Sequence, residues 1–169
     1  MIEQENSSAA EARHEHPESR EALRAALLQL VQAAQHELAV TAPTLDAAVW
    51  NSAAMAEALG HLVTRHQRNR IRIVVEDSEH LLTTCARLVE LARRVSDVIA
   101  IRRLGESHHG LNEMFAVADS DGCLVQADAG VIDATLDLGA PRLAAPLARR
   151  FEEIWKASDP LPGLHGFRL

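Results

Sequence analysis

The chain has 169 residues, enough for one domain with a core of ordinary size and too few for two. A composition of 47% hydrophobic and 24% charged residues excludes wholesale disorder, and an aromatic content of 3% with no Tyr removes the stacking platforms of single-stranded nucleic-acid binders. The formal net charge of -7 disfavours nucleic acid as a partner, since an acidic surface repels phosphate backbones.

Residues 1–18 are polar and lack apolar periodicity, so they read as a disordered tail ahead of a domain over 19–169. The tail has neither the basic start nor the apolar core of a secretory signal. No apolar run is long enough to span a bilayer, so the expectation is a cytoplasmic protein without a membrane partner. Ser19 can cap a first helix over 20–36, in which Leu23, Leu27, Leu30 and Ala34 share a face. Leu38 to Val40 reads as a short buried strand. A second helix opens at Asn51 or Ser52, with Met55, Leu59, Leu62 and Val63 on one side and cations at its end.

Ile71 to Val75 is apolar almost throughout, as a central strand covered on both faces would be. Ser78 can cap a third helix, carrying Leu82, Cys85, Val89 and Ala92 and closing on Arg93 and Arg94; Val98 to Ile101 is the next strand. Strand and helix alternate in this way through an α/β sheet flanked by helices. Phe115 to Ala118, a turn at Asp119 to Gly122, and Cys123 to Val125 read as an antiparallel hairpin, since Asp-Gly favours such turns. A further short strand is placed near Val131 and Ile132. Pro141 suits the first turn of a last helix, with Leu143, Leu147, Phe151 and Ile154 as its stripe and Trp155 beside it; the closing DPLPGLHGFRL is read as an extended surface segment. The two cysteines, Cys85 and Cys123, form neither a CxxC pair nor a disulfide framework, which points to buried thiols.

The pieces IRIVVED, LVELARRVSDVIAIRRL, FAVADSDG and FEEIW, in this order, resemble an uncharacterised bacterial family of phospholipase D-like domains. The resemblance covers residues 19–169 and implies a single α/β domain with a mixed sheet flanked by helices. In the active superfamily an HxKxxxxD signature supplies a nucleophilic histidine, a phosphate-binding lysine and an aspartate that orients a histidine, and two such motifs meet in one chain or across a homodimer. The corresponding positions here are Asn112, Met114 and Asp119. An amide does not attack phosphorus as an imidazole does, and a thioether carries no positive charge, so the resemblance implies a degenerate motif.

Three functions follow as alternatives. The first is a non-catalytic binding or regulatory module of open ligand, with Arg103 and His109 available for an anion, Asn112 for a hydrogen bond, and His108 and Asp119 as further candidates; a phosphate-bearing small molecule is one candidate ligand. The second is a phosphodiesterase with a rearranged site, using His108 or His109 with Arg102 or Arg103 in place of the lysine, although the strand register opposes this. The third is an interaction protein, homodimeric or docking an acyltransferase-type partner through an apolar face near Trp50 or Trp155. No catalytic residue is assigned. Asp119 has the competing reading of a turn residue bonded to backbone amides. No nucleotide-binding, metalloprotease or hydrolase motif is present, and His108 and His109 with Glu106 are too local for a zinc site, so neither a cofactor nor a metal is expected.

Overall fold

The computed structural model describes residues 12–164. Its centre is the strand read most clearly in the sequence, Arg70–Val75 (β3), flanked by Glu37–Ala42 (β2) and Ile99–Arg103 (β4), all three parallel. Beyond β2 the sheet turns antiparallel, through Met114–Ala118 (β5), Gly122–Gln126 (β6) and Ala134–Leu138 (β7). Arg13–Glu15 (β1) and Asp159–Pro160 (β8) form the edges, giving one eight-stranded mixed sheet in the order β1-β7-β6-β5-β2-β3-β4-β8.

Side chains alternate across the pleat, so each strand feeds two cores. On one face Met114, Ala116 and Ala118 of β5 join Val40, Ile71, Ile73 and Leu124. Five helices cover this face: Arg20–Ala33 (α1), Ala47–Trp50 (α2), Ala53–Arg65 (α3), Ser78–Thr84 (α4) and Ala86–Arg94 (α5). On the other face Phe115, Val117, Val74 and Cys123 pack against one helix, Pro141–Lys156 (α6), through Ala144, Phe151 and Ile154. Burial pushes the Cys123 thiol up to about 11, and the Cys85 thiol is also raised by burial.

Ser19 caps α1 by accepting from the Ala22 amide, and Ser52 caps α3 by accepting from Met55. Ser78 does not cap its helix; Asp77 does, accepting from His80. The expected third helix is two helices broken at Cys85, whose φ of -110° and ψ of 52° are not helical. Arg13 to Glu15, assigned to the tail by their polarity, are an edge strand held by three backbone pairings and by His14 Nδ1 against Asp137 Oδ1 at 2.5 Å. Residues 1–11 of the expected tail lie outside the described residues.

The strand expected at Val131 and Ile132 is an exposed loop. β7 begins three residues later, where Ala134, Leu136 and Leu138 supply the alternation that two adjacent apolar residues lack. In α6 the stripe runs through Ala144 instead of Leu143, which is 54% exposed. The C-terminal segment is more than a surface strap: β8 pairs with β4, and Leu161 and Leu164 are buried. Its last five residues, 165–169, fall outside the described residues. Trp50 is 2% exposed and offers no docking face.

The α6 face contains charge, and the charge is paired. Arg72 projects from β3, forms a two-pronged hydrogen bond to Glu152 and lies 5.1 Å from the Phe151 ring centroid. Arg102 stacks on Trp155 at 4.2 Å. Planar guanidinium groups suit such sites because they bond in plane and stack out of plane.

Asp119 fixes the opposite end of the sheet. It leaves β5 with φ of 55°, a left-handed conformation that Asp tolerates better than most residues. Its carboxylate accepts from the amides of Gln35 at 3.0 Å, His36 at 2.8 Å and Glu37 at 3.0 Å, where α1 passes into β2. Asn69 adds to the junction, donating to the carbonyls of Gln35 and Leu62.

Two outcomes follow. Asp119→Ala should cost about 2 to 4 kcal/mol in chemical denaturation, combining lost charge-assisted bonds with left-handed strain, and Asp119→Asn should cost less; a loss below about 0.5 kcal/mol would contradict the clamp. Glu152 is held below the usual carboxylate range by the Arg72 hydrogen bond. Its contribution is therefore complete above the unfolded-state pKa and fades as pH falls through the lowered native one. Glu152→Gln should lower the melting temperature at pH 7 and converge on the parent chain in acid, whereas a pH-independent difference would rule out the ion pair as its cause.

Candidate functional site

A cleft of about 250 Å³ lies on the α1 face, at the carboxyl end of β2 and the start of β5. Its floor is apolar: Leu23 and Leu27 of α1, Val40 of β2, Leu45, Trp50 and Met114. Its mouth carries Arg20 and Arg24, one helical turn apart on α1, with Thr44 and Asp46 opposite. Arg24 Nε donates to Asp46 Oδ2 at 2.9 Å, while the other Asp46 oxygen caps α2 through the Ala48 amide. Arg20 makes no ion pair among the described residues.

The remaining wall is the β6–β7 loop, from Ala129 to Ile132. Its shape comes from side chains instead of regular structure. Asn112 Nδ2 and the Gly130 amide both donate to Asp128 Oδ1, and the Asn112 carbonyl accepts from the Ala129 amide at 2.7 Å. Gln126 Nε2 donates to the carbonyls of Val131 at 2.8 Å and Ala129 at 3.5 Å. The tip of this loop presents Val131, 53% exposed, and Ile132, 40% exposed.

The pleat explains where the signature residues stand. Met114 begins β5 pointing to the α1 face and lines the cleft floor. Glu113, between Asn112 and Met114, is engaged by Arg150, whose guanidinium is raised by the Glu113 hydrogen bond at 2.8 Å and lies 5.3 Å from the Phe115 ring centroid. Asp119 sits at the other end of β5. Five strand steps of about 3.4 Å separate it from Met114, about 17 Å, so it touches no group in the cleft. Of its two readings, the amide-bonding one describes what the carboxylate does, although the amides belong to the α1–β2 junction and not to its own turn.

Arg103, His108 and His109 do not line this cleft. Arg103 ends β4, three strand positions from β5 or about 14 Å across the sheet, with its nearest ionic partner, Asp159, at 3.9 Å. Gly105 follows it and passes so close to the Ala157 carbonyl that a Cβ would stand 2.0 Å from that oxygen, which fixes the chain's exit from β4. A 3-10 turn over Glu106–His108 then carries the histidines. His109 Nε2 is bound to the Leu104 carbonyl at 2.8 Å, and His108 Nδ1 contacts Ser107 Oγ at 3.2 Å. The Gly110 amide is tied to Glu76 at the end of β3. The histidines are therefore anchored over the β3 and β4 ends, and of the two arginines that could replace the lysine, Arg102 is stacked on Trp155 across the other face while Arg103 stays more than half exposed.

Arg20, Arg24, Asp46 and Gln126 were not singled out by sequence reading. Arg20 and Arg24 share the four-residue spacing that puts side chains on one helix face, the one available signal. No group of three or more potential metal ligands occurs among the described residues. No described helix is long and apolar enough to cross a membrane.

Solved structures with this chain topology include members of the phospholipase D family. Nuc from Salmonella typhimurium, a phospholipase D family member, is 13% identical with a TM-score of 0.63, the match covering 89% of this chain and 99% of that one. NucT from Helicobacter pylori is 8% identical with a TM-score of 0.60, covering 89% and 100%. TrmBL2, an archaeal chromatin protein described with a novel mode of DNA binding, is 12% identical with a TM-score of 0.61; the match covers 94% of this chain but 56% of that longer one. No curated protein matches the sequence. These likenesses establish a phospholipase D-like α/β fold, and the model of a domain of unknown function, DUF7931, matches residues 19–167, so the chain belongs to that family.

Proposed function

We propose that the chain is a non-catalytic phospholipase D-like module that binds a phosphate-bearing small molecule in the cleft beneath α1. The observation that carries this reading is Met114. It stands at the signature position of the phosphate-binding lysine and forms part of a cleft floor, while Asn112, at the position of the nucleophile, spends its amide holding Asp128. The cleft thus lacks a histidine and a lysine at the two signature positions, and ligand sites are commonly apolar with a few polar groups.

Positive charge enters this site from α1 instead of from β5. Arg20 and Arg24 bracket the mouth, and an oxyanion placed there exchanges water for guanidinium donors. Arg103 and His109, the anion-binding pair that the sequence suggests, do not line this cleft. Neither His108 nor His109 lines that cleft, and Arg102, one of the two arginines that could replace the lysine, is stacked on Trp155.

A thermal-shift panel of phosphate, nucleotides and phospholipid head groups on the full chain tests the reading. A ligand at one hundred times its dissociation constant should add about 2.7 kcal/mol of stability. That gain should be lost in Arg24→Ala and retained in Arg103→Ala. Phosphodiester turnover that disappears in His108→Ala/His109→Ala would instead establish an enzyme.

A further inference from the structure

The cleft's two ends demand opposite chemistry of a single occupant. At the mouth, Arg20 has no ionic partner among the described residues and Arg24 shares its charge with Asp46. At depth, Leu27, Val40, Leu45, Trp50 and Met114 are all buried and carry no charge. Between them is Gln126, 5% exposed. Its amide nitrogen is committed to the loop carbonyls of Ala129 and Val131, while its Oε1 has no hydrogen-bond partner among the described residues. No buried side-chain oxygen lacks a partner among the described residues, so this Oε1 faces the solvent of the cleft, where a donor on a ligand can meet it.

We infer that the cleft takes an amphiphile: an anionic head at Arg20 and Arg24, a hydroxyl or other donor at Gln126, and a short aliphatic chain over Met114. This rests on the reading above that the cleft is the binding site, and it assigns Met114 the role of specificity residue. A multiply charged phosphate would have to shed its hydration beside a thioether, where no cation meets it. An aliphatic chain loses nothing there and gains contact with a polarisable side chain. Exposed Val131 and Ile132 at the rim extend the apolar track outward along the loop. The volume of about 250 Å³ suits a short chain with one head group and is small for a nucleotide.

Calorimetric titration of the full chain with hexyl phosphate, hexanoate, inorganic phosphate and 1-hexanol separates the components. Each buried methylene strengthens binding about fourfold, so three in contact predict hexyl phosphate about 50-fold tighter than inorganic phosphate. Arg20→Ala, a surface change that leaves the core untouched, should weaken hexyl phosphate at least about tenfold without moving 1-hexanol. Met114→Lys should collapse the 50-fold preference toward unity, with Met114→Gln as the second variant if the lysine disturbs folding. Binding of hexanoate as well supports the proposal with a carboxylate-tolerant head, and binding of hexyl phosphate alone supports it with a phosphate head. Inorganic phosphate as tight as hexyl phosphate overturns the amphiphile and leaves the cleft reading intact, and 1-hexanol as tight as hexyl phosphate overturns the head-group assignment. No heat from any of the four overturns both readings.

Discussion

The Asp119 carboxylate, accepting three consecutive amides at the α1–β2 junction, is the interaction on which the arrangement of this domain depends. It joins the end of β5 to the point where α1 hands over to β2, so the helix and both strands share one origin. Because β2 and β5 are antiparallel, fixing one end of β5 determines what lies at the other: Met114, under the first turns of α1. Asp119 thus has a structural task at the end of β5 remote from the cleft. A carboxylate bonded to backbone amides also explains why left-handed geometry at Asp119 is tolerated.

The same strand divides the site from the charges of the second core. Odd-numbered residues of β5 face α6, where Arg72, Arg102 and Arg150 are each stacked on an aromatic ring, and Arg72 and Arg150 are also bonded to carboxylates. Even-numbered residues face α1 and meet no cation from the sheet. The cations that line the cleft on this face, Arg20 and Arg24, come from α1, about ninety positions before Met114.

Much of this was legible in the sequence where one physical signal dominated. The apolar run at Ile71 to Val75, the Asp-Gly turn at Asp121 and the caps at Ser19 and Ser52 each act locally and appear where expected. What was not legible depends on distant partners. β1 is a charged three-residue segment whose strand character comes from pairing with β7 and from His14 meeting Asp137, a contact 123 residues apart in sequence. Val131 and Ile132 have strand-forming side chains, yet Gln126 and Asp128 bend that segment into a cleft wall. The site shows the same division. Asn112, Met114 and Asp119 were picked out by resemblance to a signature, and they stand before, at the start of and just past β5. Arg103, His108 and His109 are near Asn112 in sequence, but the β4–β5 connection crosses the sheet and leaves them over other strands. Arg20, Arg24 and Gln126 converge only in the folded chain.

The most direct measurement is an amide chemical-shift map of the full chain titrated with a phosphate monoester. If the cleft beneath α1 is the binding site, perturbations will cluster at Arg20, Leu23, Met114, Gln126 and Gly130, with those at Arg103 to Gly110 unmoved. Perturbations centred on His108 and His109, with the cleft silent, would contradict the account.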